Sequence, residues 1–544
     1  MLMKNNNRYT ATLAGLIVLL FLCSPSTKGQ ITNDPDPDGP GYAENCTTIM
    51  VGRLASTDGS VMTSHTCDGR YRTWLEVVPA HKFVADTVHP VYWGTLFSET
   101  AWDMSNITRK GEIPEARSTY AYLSTAYPCL NEKQLAIGET TIYGKQELVN
   151  QNGLFLIEEL EKIALQRCST AREAIALIGS FAEKYGYADL AECITLADKR
   201  EVWQLEIAGS GPGKPSSLWV ARRIPDDQVG IVANIPRISD VDFNNPDMFM
   251  TSSGLREKAK TLGYWDGKQP LKFYKVIGTG KPFAIRELFV LNTLAPSLGL
   301  TMDMEELPVS VKPEKKVSVQ DVMALFRQTY EGTRYDMTKN LLVKVSHKDV
   351  TGNEITDTVK SPVVSNWMSN DLRTLINELK PGTIERQRTI AIAGCSYSHV
   401  IQCRDWLPDE VGAVAWFSFD NPGQSPRIPV FSGTMSLPES FSICGQHRYR
   451  EDAAIWAYRE ANRLATVNWD RGRKLIEPAV AEMEAKAFNE LPALEERVKT
   501  LVNQGKHEEA KKTVTEYTAS FAYATMERWQ EMKRTLWGMF GRGF

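Results

Sequence analysis

The 544-residue chain lacks most of the signatures by which hydrolases and nucleotide-binding proteins announce themselves. Its histidines, His65, His81, His89, His347, His399, His447 and His507, are scattered, with no HExxH and no His/Cys cluster, which disfavours a zinc hydrolase. No G-x-S-x-G elbow is present, so no serine can be singled out as a nucleophile. The one phosphate-loop lookalike, Gly278-Thr279-Gly280-Lys281-Pro282, lacks the first glycine and has proline where a magnesium-binding hydroxyl should stand. It reads as a turn before a helix. The nine cysteines include no CxxC pair, and no repeat of fixed period occurs. The formal net charge is only −4, which gives no basic surface for nucleic acid or anionic membrane.

Long apolar runs are missing too. The longest, Ala11 to Leu22, is too short to span a bilayer, for which about eighteen residues or more are needed, so no stable membrane insertion is expected. Lys4 and Arg8 precede it and Cys23-Ser24-Pro25-Ser26-Thr27-Lys28-Gly29 follows it, the three regions of a secretory signal. Residues 1–29 are therefore expected to be a signal peptide and the protein to be exported, periplasmic or secreted. Cys23 as a lipidated cysteine is the alternative, against which stands the bulky Leu22. Residues 30–45 repeat Asp-Pro and Gly-Pro steps with almost no apolar content and read as a spacer or propeptide.

At Cys46 the character changes at once. Cys46 to Arg53 and Ser60 to Thr66 alternate around Ser56-Thr57-Asp58-Gly59, a hairpin signal, and Thr73 to Val78 reads as a third strand. Strand-rich sequence returns from Ala121 to Ile142. Helical spacing follows near 153–166 and over 170–185, the second helix with Ser169 as N-cap and Gly186 at its end. Strands are expected again at Glu192–Leu196, Glu201–Ile207, Leu218–Arg222 and Val229–Ile235. Helices are expected over Ser253–Leu262, Phe283–Leu294 and Ser318–Tyr330, then strands at Arg388–Ala393, Tyr397–Gln402, Ala413–Phe419 and Ile428–Val430. From Arg448 onward the sequence is helix-like. The pattern is α+β, two sheets with helices packed outside.

With metal, phosphate and serine chemistry disfavoured, Cys46 becomes the candidate nucleophile. A thiol needs a base, since the thiolate attacks and an ordinary cysteine titrates near ~8.5. Were Cys46 the first residue of a mature chain, its own α-amino group, with a pKa near ~8, would be that base. Such a site also needs a carboxylate to place the amine and a donor for the oxyanion. Asp68 ends the hairpin partner of Cys46, and Asn234 ends a later strand before Pro236. Each has a plainer reading: Cys46 as a core or disulfide cysteine or, in Asn45-Cys46-Thr47, part of a glycosylation sequon, Asp68 as a turn cap before Gly69, Asn234 as a strand end. Cys67, Cys129, Cys168, Cys193, Cys395, Cys403 and Cys444 read as buried small hydrophobes with room for one or two bridges.

Cys46-Thr47-Thr48 with Thr57-Asp58-Gly59-Ser60, Asn131-Glu132-Lys133 with Ile137-Gly138-Glu139-Thr140-Thr141, Ala233-Asn234, Tyr330-Glu331-Gly332-Thr333 with Asp336, and Trp406-Leu407-Pro408 through Trp416 to Pro429 together resemble the cysteine dipeptidases, related to secernin, of the N-terminal-nucleophile hydrolase superfamily. The resemblance implies a four-layer αββα core over residues 46–445, a helical region over 446–544, self-cleavage before Cys46 from an inactive zymogen, and hydrolysis of dipeptides. It also implies Cys46 as nucleophile, Asp68 as the carboxylate that positions its amine, Asn234 as oxyanion donor and Arg286 as the arginine of related acylases, a residue that otherwise reads as a helix-surface charge. No metal or organic cofactor is implied. Two positions depart from the pattern. His65 stands where an arginine is common, and Thr141 stands where acylases place a second asparagine. An acylase of non-peptide amides, or a binding or scaffold protein on the same fold, are the alternatives. The C-terminal helices serve either oligomerisation or the shaping of the pocket, and the sequence leaves both open.

Overall fold

A computed structural model describes residues 45–100 and 103–541. The expected signal peptide and nearly all of the spacer lie outside the described residues. The first described strand, Asn45–Val51, forms the expected hairpin with Val61–Asp68 in the register Asn45 to Asp68, Cys46 to Cys67 and Thr47 to Thr66. Asp58 fastens the turn by accepting from the Ser60 amide and hydroxyl, and Gln402 ties it to a neighbouring strand.

This hairpin is the middle of a seven-stranded antiparallel sheet. Its order is Ser310–Val311, Val229–Val232, Asn45–Val51, Val61–Asp68, Cys395–Cys403, Val414–Phe419 and Ile428–Phe431. A second, eight-stranded sheet runs in the order Phe249–Thr251, Ser217–Ile224, Val202–Gly209, Ala191–Ala197, Ala136–Thr141, Leu130–Asn131, Tyr122–Ser124 and Glu76–Val78. The hairpin packs on Ala136–Thr141 of this second sheet. Both hairpin strands are buried along their whole length, as strands covered on both faces must be. Gly138 marks the closest approach: a Cβ there would lie 2.4 Å from the Ser64 carbonyl oxygen and 2.8 Å from Thr195 Oγ1. Only glycine lets the backbones meet that closely.

Helices Ile157–Arg167 and Ala171–Tyr185 pack together, the second lying on the eight-stranded sheet. The cap of the second is Thr170 and not Ser169: Thr170 and Glu173 form a reciprocal capping box, while Ser169 donates to the same Glu173 carboxylate. Asn131 ties this layer to its sheet, donating from Nδ2 to the Leu165 and Cys168 carbonyls. At the other end of the chain, Ala454–Ala465, Trp469–Asn503 and His507–Phe540 form a helical assembly. The last of these lies on Ile428–Phe431 of the seven-stranded sheet. Trp203, Trp416 and Trp529 are fully buried among these elements, so the helices and the sheets share one core.

Two further expectations need correction, while the reading of the cysteines as buried small hydrophobes holds. Arg388–Ala393 is an irregular segment and no strand: its Ile390 and Ala391 amides both donate to the single Gln328 carbonyl, which no strand ladder allows. The helix from Ser318 ends at Phe326, although Ser318 and Asp321 do form its capping box. All eight cysteines of the described residues are free and buried, so no bridge is formed among them.

Candidate active site

Cys46 is the second residue of the first strand, wholly buried, with its backbone held at both ends. Its N–H donates to Asn234 Oδ1 at 3.1 Å. Its carbonyl oxygen accepts from Arg286 Nη1 at 2.6 Å and from Thr140 Oγ1 at 3.2 Å. Asn234 follows the strand Val229–Val232, which pairs with the Cys46 strand on the side away from Asp68, and it takes the left-handed conformation at φ 65°. Asparagine tolerates that region better than most residues. There its amide spans the gap: Oδ1 also accepts from Arg286 Nη2 at 2.7 Å, and Nδ2 donates to the Thr141 carbonyl at 2.7 Å. A primary amide has two hydrogens, so Nδ2 keeps a second beyond the one given to Thr141.

Arg286 lies in the first turn of the helix Ile285–Leu294 and is buried, which removes the reading as a surface charge. Its two terminal nitrogens bind Cys46 O, Thr47 Oγ1, Ala233 O and Asn234 Oδ1, a planar fork joining two adjacent strands. Glu287, next to it, accepts from both the Ala233 and Ala284 amides and so fixes the helix start against the Asn234 strand. Burial and the neighbouring Arg388 draw the Arg286 pKa down.

Asp68 stands one rung from Cys46, opposite Asn45. Its Oδ2 accepts from Arg388 Nη2 at 2.7 Å and from Thr66 Oγ1 at 3.1 Å, while the buried Oδ1 has no hydrogen-bond partner. The structure thus brings Cys46, Asp68, Asn234 and Arg286 together. It adds Arg388, which sequence reading missed: it lies 320 positions from Asp68 and no local pattern marks it. The Tyr330-Glu331-Gly332-Thr333 motif has a role here, since Tyr330 donates its hydroxyl to the Arg388 carbonyl at 2.9 Å.

The thiol itself faces a different set of groups. Cys46 Sγ, a ring nitrogen of His65 and a carboxyl oxygen of Glu139 lie within 4.8 Å of one another. Burial pushes the Cys46 thiol well up, the charges of Glu139, Cys67 and Asp68 add to this, and the Asp68 backbone N–H opposes it. His65, in the place where arginine was expected, carries no charge, because burial lowers its pKa to about 3. Its Nδ1 lies 2.5 Å from the Glu139 carbonyl oxygen and 3.1 Å from the Glu139 amide nitrogen, and its ring stacks on His399 at 5.4 Å. Permanent positive charge stands instead on the Cys46 carbonyl, from Arg286, and on Asp68, from Arg388.

A buried thiol at the head of a strand, its backbone gripped by an amide and a guanidinium and flanked by a carboxylate, defines a candidate cysteine hydrolase site. The model of peptidase family C69 matches residues 45–482, and the chain belongs to that family of peptide-bond hydrolases. Among relatives, it is 26% identical over 513 residues to a "Probable dipeptidase" of Latilactobacillus sakei, covering 87% of this chain and 95% of that protein. It is 21% identical over 446 residues to "Dipeptidase A" of Lactobacillus helveticus, covering 78% and 82%. A "Probable dipeptidase B" of Lactococcus lactis is 24% identical over 450 residues, with the same two coverages. The resemblance drawn from the sequence is borne out at the level of the family.

Proposed function

We propose that this protein is an exported cysteine dipeptidase, made as an inactive precursor and activated by cleavage of the Asn45–Cys46 bond. The observation that carries the reading is the double hold on Cys46, its N–H on Asn234 and its carbonyl on Arg286 and Thr140, at the point where the family match begins. The two face-packed sheets, with helices against the outer side of each, support reading residues 46–445 as a four-layer αββα N-terminal-nucleophile core and 446–544 as a helical addition.

In activation the Cys46 thiol attacks the Asn45 carbonyl carbon, the peptide C–N bond breaks, and an Asn45 thioester forms while the nitrogen becomes the free amine of Cys46. Water then hydrolyses the thioester, releasing the Asn45 carboxylate and restoring the thiol. In turnover the amine takes the thiol proton, and the thiolate attacks the substrate carbonyl. The spare Asn234 amide hydrogen steadies the oxyanion, and the amine passes its proton to the departing amino acid. Asp68, with its unpartnered Oδ1, holds the ammonium form of Cys46. Water attacks the acyl-enzyme with the amine again as base.

Intact-mass analysis of the secreted protein tests this reading, with a chain beginning at Cys46 as the expected species. Cys46→Ala should stay uncut and inactive; a Cys46→Ala protein that hydrolyses dipeptides at the wild-type rate would sink the assignment. Comparing a dipeptide with an N-acyl amide separates a dipeptidase from an acylase.

A further inference from the structure

Beside the thiol lies a buried acidic wall that the mechanism does not use. Glu139 and Glu192 sit on neighbouring strands, where Thr141 is the ladder partner of Glu192 and Glu139 lies two residues before Thr141. Alternation puts Glu139, Thr141 and Glu192 on one face. Their side chains interact: Thr141 Oγ1 donates to Glu139 Oε1 at 3.2 Å, and the two carboxyl groups hydrogen-bond to each other. Two carboxylates so close in a buried site cannot both ionise, so the pair holds one shared proton and one negative charge. The Glu139 carboxyl also meets the Cys46 thiol, yet Glu139 Oε2 and Glu192 Oε2 have no N–H or O–H partner, on side chains that are 0% and 2% exposed.

Two orphaned acceptors with one residual negative charge are costly in an interior unless a donor arrives. The missing partner is a cation with several N–H donors. Its position relative to the chemistry identifies it. The Glu139 carboxyl is within 4.8 Å of the attacking sulfur. In a peptide the α-nitrogen of the first residue is two bonds from the carbonyl carbon that the sulfur attacks. A carboxylate this close to the sulfur therefore meets the free α-ammonium of a substrate's first residue.

We propose that Glu139, backed by Glu192, is the anchor for the α-ammonium of the substrate and restricts this site to peptides with a free amino terminus. The proposal rests on the dipeptidase reading and adds what that reading leaves open, how the enzyme tells a dipeptide from an N-acylated amide. The ammonium donates to Glu139 Oε2 and Glu192 Oε2, and its charge balances the single negative charge of the pair. An acylated nitrogen brings neither the charge nor enough donors, and its acyl group has to enter the space of the carboxyl pair. Sites that leave buried polar groups unpaired by the wrong ligand discriminate strongly.

The test uses the full processed protein with alanyl-leucine and N-acetyl-alanyl-leucine as probes. The wild type should prefer the free amine by at least about 100-fold in kcat/KM. In Glu139→Gln that ratio should fall by about tenfold or more, through a higher KM for alanyl-leucine, since the amide keeps the shape but loses the charge. Glu192→Gln should shift the ratio in the same direction, and it supplies the test should Glu139→Gln fail to fold or to be cut at Cys46. A wild type that cleaves alanyl-leucine and its acetylated form equally well overturns the anchor while leaving the dipeptidase reading standing. So do variants that lose the same factor on both substrates, because that pattern marks a structural or thiol-directed role. Inertness of the wild type toward all dipeptides overturns the dipeptidase reading itself.

Discussion

Replacing Arg286 by lysine keeps the charge and removes the fork. One nitrogen of the guanidinium serves Cys46 O and Thr47 Oγ1, and the other serves Ala233 O and Asn234 Oδ1. A lysine has a single nitrogen and can reach only one of these pairs. Two charge-assisted hydrogen bonds are then lost, each worth about 1.5–3 kcal/mol, with part of the loss offset because an ammonium relaxes where a fork cannot. A net cost of about 3 kcal/mol follows, and Asn234 retains only the Cys46 N–H on its Oδ1. Since Asn234 is held in a left-handed conformation, the lost bonds loosen the residue meant to face the oxyanion. Expressed in the barrier, about 3 kcal/mol is a fall in kcat of about 150-fold with little change in KM. Steady-state release of amino acids from a dipeptide measures the split, intact mass reports whether the chain is still cut at Cys46, and thermal denaturation reports the fold. An Arg286→Lys enzyme with kcat within threefold of wild type and an unchanged melting temperature would refute the claim that the fork holds the site together.

Other outcomes follow from the same contacts. Asp68→Asn removes the negative charge facing Arg388, and a chemical denaturation series should show a loss of about 3 kcal/mol together with a chain that fails to turn over. Gly138→Ala places a methyl group 2.4 Å from the Ser64 carbonyl oxygen and should cost about 2 kcal/mol while prising Glu139 away from the thiol; unaltered stability would mean that the two sheets are not in contact there. Glu158 is buried with one oxygen unpartnered, and burial, assisted by Glu159 and Asp189, lifts its pKa from 4.5 to about 8. The raised value means that the folded state holds this proton longer than the unfolded state. Its stabilising contribution is therefore full below about pH 4.5 and is lost as pH rises through about 8. Glu158→Gln should thus be increasingly more stable than wild type across that window, reaching no more than about 5 kcal/mol, and a stability difference independent of pH would contradict it.

Much of the site was legible because its parts lie at the ends of strands with clear alternation. Asp58-Gly59 fixes the hairpin, and the hairpin fixes the distance from Cys46 to Asp68. Asn234 could be placed beside Cys46 only through the family resemblance, since the pairing of Val229–Val232 with the first strand joins segments about 180 residues apart and leaves no local trace. Arg388 was missed for a related reason: it sits in irregular chain whose geometry is set by Tyr330 and by Asp68, both remote in sequence. Glu139 lies in one of the motifs that carry the family resemblance, but composition does not reveal that a glutamate between two sheets has an unpartnered oxygen. The ribbon Leu342–Lys348 with Glu354–Lys360 shows the opposite limit. Its sequence alternates, yet nearly every residue is exposed, so no buried face gave its pattern a direction.

Asn45 is as firmly held as the cysteine after it. It occupies a rung opposite Asp68, and Tyr143 donates its hydroxyl to its side chain at 3.1 Å. Under the proposed chemistry this makes Asn45 the first acyl group the thiol ever meets, on a tether of zero length. Its effective concentration at the sulfur then lies far above that of any free peptide, in the range that intramolecular reactions reach. The uncut chain would be its own competitive inhibitor, and no level of dipeptide could displace it. Activation on this view is a single irreversible turnover on a built-in substrate, after which the same cradle stands open to molecules that must diffuse in.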